Sequence, residues 1–189
     1  CAPGNPGIGT LATLVNISAD DQDALCRFAL DNGIDLTVVG PETPLVEGLV
    51  DHFAAHNLKV FGPTRAAAQI EGSKAFAKEL MQKYNIPTAQ YQVFDSPAKA
   101  KDYIRMQGAP VVIKADGLAA GKGVVVAETI EEAIAAVDLI MCEQAFGTAG
   151  TRIIVEEFLC GEEASVLAFT DGYTIIPMVA AQDHKRIYD

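Results

Sequence analysis

The sequence is short of positive charge. Its 14 Lys and Arg stand against 25 Asp and Glu, for a net charge of −11. A surface of that sign repels phosphate backbones and anionic headgroups, which excludes a general nucleic-acid or membrane-surface binder. Any anion site must be assembled locally against that background. Cysteine is scarce too. Cys1, Cys26, Cys142 and Cys160 form no C-x-x-C pair, and their flanks look like helix and strand interiors. All four are expected as buried thiols in a reducing compartment, hence a cytoplasmic protein. No apolar run reaches the length of a membrane span and no signal peptide is recognised, so no membrane association is expected. The chain lacks an initial Met. It opens at Cys1 in the loop APGNPGIG and closes among the charged residues of QDHKRIYD, and it reads as an internal fragment of a longer protein. Half of its residues are hydrophobic, enough for a sizeable core.

What is present is concentrated in VVIKADGLAAGKGVVVA, residues 111–127. Val111-Val112-Ile113 and Val124-Val125-Val126 read as two strands. Lys114, Gly117, Gly121, Lys122 and Gly123 lie between them. Glycines let a backbone approach a ligand closely, and successive N–H groups in such a loop make a concavity for anions. The two lysines add charge where a polyphosphate would lie. The pattern is not a Walker A loop: three residues rather than four separate Gly117 from Gly121, and Gly123 follows Lys122 where Ser or Thr is required. A connection of this length between strands is uncommon without a function. The loop is therefore expected to be a lid over phosphates rather than a plain hairpin turn.

The first third alternates helix and strand. Asp20-Asp21 caps a helix carrying Leu25, Phe28 and Ala29 that ends near Gly33. Leu36–Val39 reads as a short buried strand, Leu45–His56 as a helix and Leu58–Phe61 as a second strand. VVGPET and VFGPTR form a weak repeat, one βα unit apart. Such spacing implies a parallel sheet, whose ligands gather at the carboxyl ends of the strands, where Gly40-Pro41-Glu42 sits. Glu42 is either a ligand contact or a solvated carboxylate at a helix start. Gly7-Ile8-Gly9-Thr10-Leu11-Ala12 matches G-x-G-x-x-A, but turn formers rather than a strand precede it, so no dinucleotide fingerprint is expected there. After Thr64 a helix with Ser73 as cap carries Lys74, Phe76, Leu80 and Met81 up to Asn85-Ile86-Pro87. A strand near Tyr91–Phe94, a helix Pro97–Gln107, the glycine hairpin, a helix Ile130–Ala145 and a strand Arg152–Val155 follow. This β-α-β-β-α-β order predicts helices on a mostly antiparallel sheet. The strand runs into Glu156-Glu157-Phe158-Leu159, and Gly161–Val166 opens another.

The order of lysine, lysine, glycine loop, acidic hinge and glutamate resembles the ATP-grasp fold. GPETPLVEGLVD, FGPT, EGSKAFAKE, IPTA, VVIKADGLAAGKGVVVA, EEFLCGEEAS and QDHKR, taken in order, resemble the phosphoribosylamine–glycine ligase (glycinamide ribonucleotide synthetase) family over essentially the whole chain. The resemblance implies an α/β protein. A truncated doubly wound, Rossmann-like N-terminal domain (1–70), without its first strand, precedes an incomplete ATP-grasp α+β domain (71–189), whose lid subdomain spans about 91–157. It implies ligation of glycine to 5-phosphoribosylamine by way of a glycyl phosphate, giving 5′-phosphoribosylglycinamide, ADP and phosphate in purine biosynthesis. ATP and Mg²⁺ or Mn²⁺ are the implied cofactors. The metal ligands are expected downstream of Asp189, so none is assigned within the chain and the fragment alone is expected to be inactive. By the same resemblance Lys74 and Lys114 contact ATP phosphates, and Gly117, Gly121, Lys122 and Gly123 belong to the lid. Glu156, Glu157, Phe158 and Leu159 form the adenine hinge, and Glu163 binds ribose hydroxyls. Pro3, Gly4 and Asn5 with Gly40, Pro41 and Glu42 face substrate, as do Asp183, His184, Lys185 and Arg186. No catalytic residue is assigned, and the partners implied are small molecules acting on a monomer. Another ATP-grasp carboxylate–amine ligase and a non-catalytic ATP-binding module remain as alternatives.

Overall fold

A computed structural model describes residues 1–119 and 122–182. It divides into two units, residues 1–158 and 159–189. In the first, the opening loop winds through a 3₁₀ turn at Ile8–Thr10, and no strand precedes Gly7. The string at residues 7–12 thus lies in and just after a 3₁₀ turn that Gly7 begins.

Asp21 caps α1 (Gln22–Asp31), its carboxylate accepting from the Ala24 N–H. β1 (Thr37–Val38) pairs in parallel with β2 (Val60–Phe61). The expected buried strand is shorter and half open: Leu36 is 55% and Val38 64% exposed, because this sheet has two strands and only Val39 turns into the core. The helix expected over Leu45–His56 is two helices, α2 (Glu42–Glu47) and α3 (Leu49–Ala55). Gly48 separates them in a left-handed conformation, φ +98°, that L side chains rarely adopt. α1 and α3 enclose a small core of Cys26, Ala29, Val39, Leu49, Val50 and Phe53.

Thr64 caps a helix that the sequence reading passed over, α4 (Arg65–Gly72), with its side chain accepting from the Ala67 N–H. Ser73 then caps α5 (Lys74–Lys83), accepting from Phe76. β3 (Tyr91–Phe94) and α6 (Pro97–Gln107) lie where expected. β4 (Val111–Ala115) and β5 (Val124–Ala127) form the hairpin; β4 runs two residues further than anticipated, so the connection is residues 116–123. α7 (Ile130–Val137) begins at a capping box between Thr129 and Glu132 and is shorter than expected, giving way to a π-helical turn at Asp138–Cys142. β6 (Ile153–Glu157) inserts between β3 and β4, so the sheet runs β3-β6-β4-β5 with every pair antiparallel.

One face of this sheet buries Val111, Ile113, Ala115, Ile153 and Val155 against Ala100 and Ile104 of α6 and Ala133, Ala136 and Val137 of α7. Strand alternation sends the intervening residues to the other face. There Val112 lies opposite Glu156 and Val126, and Lys114 lies opposite Ile154 and Val124.

The second unit, where described, is a hairpin of β7 (Ala168–Thr170) and β8 (Ile175–Pro177), with a bridge from Ser165 to Ala181. The strand expected from Gly161 therefore begins only at Ala168. No disulfide forms among the cysteines, but the expectation that all are buried fails: Cys26 is buried, while Cys1, Cys142 and Cys160 are exposed. Cys1 and Cys160 lie in loops and Cys142 ends the π turn, so none faces a core.

Candidate functional site

Two of the residues that the sequence singled out, Lys114 and Glu156, meet on the sheet face opposite α6 and α7. Lys114 reaches diagonally across β4 and β6, placing Nζ 2.9 Å from Glu156 Oε2. Glu156 is 5% exposed, so an adjacent pair of acids that could have been a solvated strand end is split: Glu156 points in, Glu157 out. Taking a carboxylate out of water is costly unless it is paired. A second cation meets that need. Lys78 of α5 places Nζ 3.1 Å from the same oxygen and donates to Thr88 Oγ1 at 2.7 Å. Lys78 sits one helical turn after Lys74. Its i, i+4 spacing was the available signal, but nothing local distinguishes it from a solvated lysine. Glu156 Oε1 is buried, with no hydrogen-bond partner among the described residues. Val112, Val124, Val126 and Ile154 lie on the same sheet face. Val124 and Val126 are 42% and 52% exposed. Two ammonium groups, one orphan acceptor and a β-branched floor can hold a planar amine-bearing ring and an anion side by side.

The glycine loop is fastened at its base. Lys74 Nζ donates to the Gly117 carbonyl at 2.8 Å, and the Ala115 N–H donates to Gly123 O. Gly117 has φ +115°, and a Cβ on Gly123 would stand 2.7 Å from Ala119 Cβ. Lys122 is exposed. Gly121 lies outside the described residues.

Beside the loop, Asp116 ties three segments together, and the sequence reading missed it. Its carboxylate accepts from Ser73 Oγ at 3.1 Å, from the Ala75 N–H at 3.1 Å and from Arg152 Nε at 2.7 Å, with Arg152 Nη2 closing the fork. Burial pushes the Asp116 carboxyl up, but the Ala75, Arg152 and Ser73 donors outweigh it and hold the group below the ordinary carboxylate value. A hollow of about 530 Å³ lies there, lined by Gly72, Ser73, Asp95, Asp116, Gly117 and Arg152 among others.

The remaining predicted residues are distributed as follows. Pro3, Gly4, Asn5, Gly40 and Pro41 line one cleft of about 580 Å³ between the opening loop and α1 and β1. Glu42, exposed at the start of α2, is not among its lining. Asn5 Oδ1 accepts from the Ile8 N–H inside the loop itself. At the hinge, the Glu157 N–H donates to Gln90 O. Phe158 and Leu159 are exposed, as is Glu163 in the second unit. Asp183, His184, Lys185 and Arg186 lie outside the described residues. No helix among the described residues is long and apolar enough to cross a membrane.

Comparison with known proteins agrees along the full length. Residues 1–71 match the model of the phosphoribosylglycinamide synthetase N domain, and residues 72–189 match that family's ATP-grasp (A) domain. A phosphoribosylamine–glycine ligase of Halalkalibacterium halodurans is 58% identical over 188 residues, and one of Brucella melitensis is 59% identical over 189. Each alignment covers 100% of this chain but 44% of the relative, so the chain spans less than half of their length. The crystal structure of a phosphoribosylamine–glycine ligase from Thermotoga maritima superposes with a TM-score of 0.78 at 30% identity, covering 98% of this chain and 44% of that one. An N5-carboxyaminoimidazole ribonucleotide synthetase from Thermus thermophilus shares the fold, with a TM-score of 0.71 at 23% identity. With consecutive family models spanning the chain and relatives of this identity aligned from end to end, the chain belongs to the phosphoribosylglycinamide synthetase family.

Proposed function

We propose that the protein containing this chain joins glycine to 5-phosphoribosylamine, with conversion of ATP to ADP and phosphate, and that this chain supplies much of its ATP-binding side. The observation that carries the reading is the Lys78–Glu156–Lys114 cluster on the open sheet face beside a glycine loop latched by Lys74. These residues fit a nucleotide. The orphan Glu156 Oε1 suits an amino donor, the valine floor suits a ring, and the lysines suit phosphates.

In this reading Lys74 and Lys114 neutralise phosphate charge, and Gly117, Gly121, Lys122 and Gly123 cover it. Glu156, Glu157, Phe158 and Leu159 border the ring, and Glu163 takes the ribose. Pro3, Gly4, Asn5, Gly40, Pro41 and Glu42, with Asp183, His184, Lys185 and Arg186, serve the reacting substrates. Residues 1–70 form the substrate-side domain and 71–189 the ATP-grasp domain.

Glycine's carboxylate is a poor electrophile. Its phosphorylation gives a glycyl phosphate, and attack by the phosphoribosylamine nitrogen at that carbonyl forms the amide and releases phosphate. Phosphoryl transfer depends on positioning and charge neutralisation rather than on covalent help from the protein. A bound Mg²⁺ or Mn²⁺ would add Lewis-acid neutralisation of the transferring group. None of this chain's residues is assigned to hold it. A closed glycine loop keeps water from the acyl phosphate. The free thiols and the absence of a spanning helix among the described residues accord with a cytoplasmic enzyme, which we take to act as a monomer on small molecules.

The test is glycine-dependent ADP release by the intact protein with phosphoribosylamine present. Turnover abolished by omitting glycine supports the reading. ATP binding with no glycine-dependent turnover would instead favour a nucleotide-binding module.

A further inference from the structure

We propose that Cys26, His52 and His56 form a binding site for a zinc-class transition-metal dication, built between α1 and α3 and separate from the nucleotide-binding face. Cys26 is on α1, three residues after Asp23. His52 is on α3, and His56 is its C-cap residue, one turn further. Spacings of three and four residues put each pair on one helix face. α1 and α3 pack together in the small core, and this brings the faces into register. One donor atom from each of Cys26, His52 and His56 lies within 4.8 Å of the other two.

The histidines carry a second feature that a core cysteine beside two solvated imidazoles would not need. His52 Nε2 is 3.3 Å from Asp23 Oδ1, and His56 Nδ1 is 2.9 Å from the His52 carbonyl oxygen. Each ring thus has one nitrogen held by an oxygen. In metal sites the same outer contacts fix the tautomer and turn the other nitrogen's lone pair toward the ion. Here Nδ1 of His52 and Nε2 of His56 are left for that role.

The donor set selects the ion class. One thiolate and two imidazoles suit Zn²⁺ and its relatives and do not suit Mg²⁺ or Ca²⁺. Tetrahedral zinc with bonds of about 2.0–2.3 Å needs donors about 3.3–3.6 Å apart, so the ligands draw in by about 1 Å on binding. The mobile partner is His56, exposed at a helix end, whereas Cys26 is 4% exposed and held by the core. Exposure at His56 also opens the site to solvent. On binding, the Cys26 thiol releases its proton to water and its sulfur bonds to the metal. The ion then staples α1 to α3 across a core of few side chains.

The test uses the intact, chelator-treated protein without ATP and with Co²⁺ as the spectroscopic stand-in. One equivalent is expected to give thiolate-to-cobalt charge transfer and tetrahedral ligand-field bands, bleached by Zn²⁺. Cys26→Ser is expected to abolish the charge-transfer band, which separates Cys26 from the exposed cysteines. His56→Ala is expected to weaken Zn²⁺ binding by at least about tenfold while leaving the metal-free melting temperature and ATP binding unchanged. Because His56 is exposed, this variant carries the test even if Cys26→Ser fails to fold. Absence of the bands, their persistence in Cys26→Ser, or undiminished Zn²⁺ affinity in His56→Ala would overturn the proposal.

Discussion

Replacing Lys78 with Met removes one of the two ammonium groups that share Glu156 Oε2. In the native cluster two cations face one carboxylate, leaving one surplus positive charge on the sheet face. In Lys78→Met the surviving pair is neutral, and Lys114 becomes the only counter-charge of Glu156 among the described residues. Two consequences follow. Breaking a buried pair costs about 3–5 kcal/mol when a charge is left alone. Lys114 remains 2.9 Å away, so the loss of stability should be nearer that of one charge-assisted hydrogen bond, about 1.5–3 kcal/mol. The second consequence is specific to phosphate. A Lys114 committed to Glu156 attracts phosphate less, so the ATP dissociation constant should rise by about ten- to a hundredfold. Adenosine, which carries no phosphate, should be affected by less than about threefold. Lys78→Arg keeps the charge and should restore most of the difference. The assay is titration calorimetry of the intact protein with ATP and with adenosine. Adding Glu156→Gln to Lys78→Met frees Lys114, so the ratio of ATP to adenosine affinity should recover. Equal losses for ATP and adenosine, or no recovery in the double variant, would refute the charge argument.

Lys114→Met should weaken ATP binding by at least about tenfold, and by more than Lys122→Met, because Lys114 is fixed on a strand and Lys122 is exposed in the loop; equal small effects by calorimetry would contradict this ranking. In Gly123→Val the new Cβ would meet Ala119 Cβ at 2.7 Å and Ala115 Cβ at 3.0 Å, so the loop must open and ATP affinity fall; unchanged affinity would count against a closing loop. In Gly150→Ala the added Cβ would stand 2.3 Å from the backbone oxygen of Ile140, and a loss of about 1–3 kcal/mol is expected, seen as a lower melting temperature. The Asp116 carboxyl is held below its ordinary value of 3.8, so its contribution to stability is full above that pH and is lost as pH falls through the lower folded value. Asp116→Asn should therefore flatten the dependence of melting temperature on pH in that acid window, and an unchanged slope would remove Asp116 from the account.

Much of the fold was legible because its signals are local. The β-branched alternation of Val111–Ile113 and Val124–Val126 marks two strands by period alone. Asp21, Ser73 and Pro97 mark helix starts through caps and fixed φ. Where a local signal was misread, the cause was also local: Gly48 breaks a continuous apolar period by a backbone conformation, and α4 is a short, alanine-rich helix that ends directly at Ser73, the cap of the next one. The family resemblance was likewise written in contiguous strings. The string EEFL, however, does not say which glutamate is buried. That is decided when β6 inserts between β3 and β4, because register alone determines that Glu156 faces Lys114 while Glu157 turns to solvent.

The sequence by itself determined most of the element order, the caps at Asp21 and Ser73, the glycine loop and the scarcity of cations that forces any anion site to be local. Only the tertiary structure decided the partners. Lys78 and Glu156 are separated by most of a domain, Asp116 gathers donors from Ser73, Ala75 and Arg152, and Cys26 meets His52 and His56 across two helices. Periodicity and capping depend on residues within a turn or two of one another and so leave a trace in the string. A buried charge is tolerated only where distant groups arrive to pair with it, and that arrival is a property of packing.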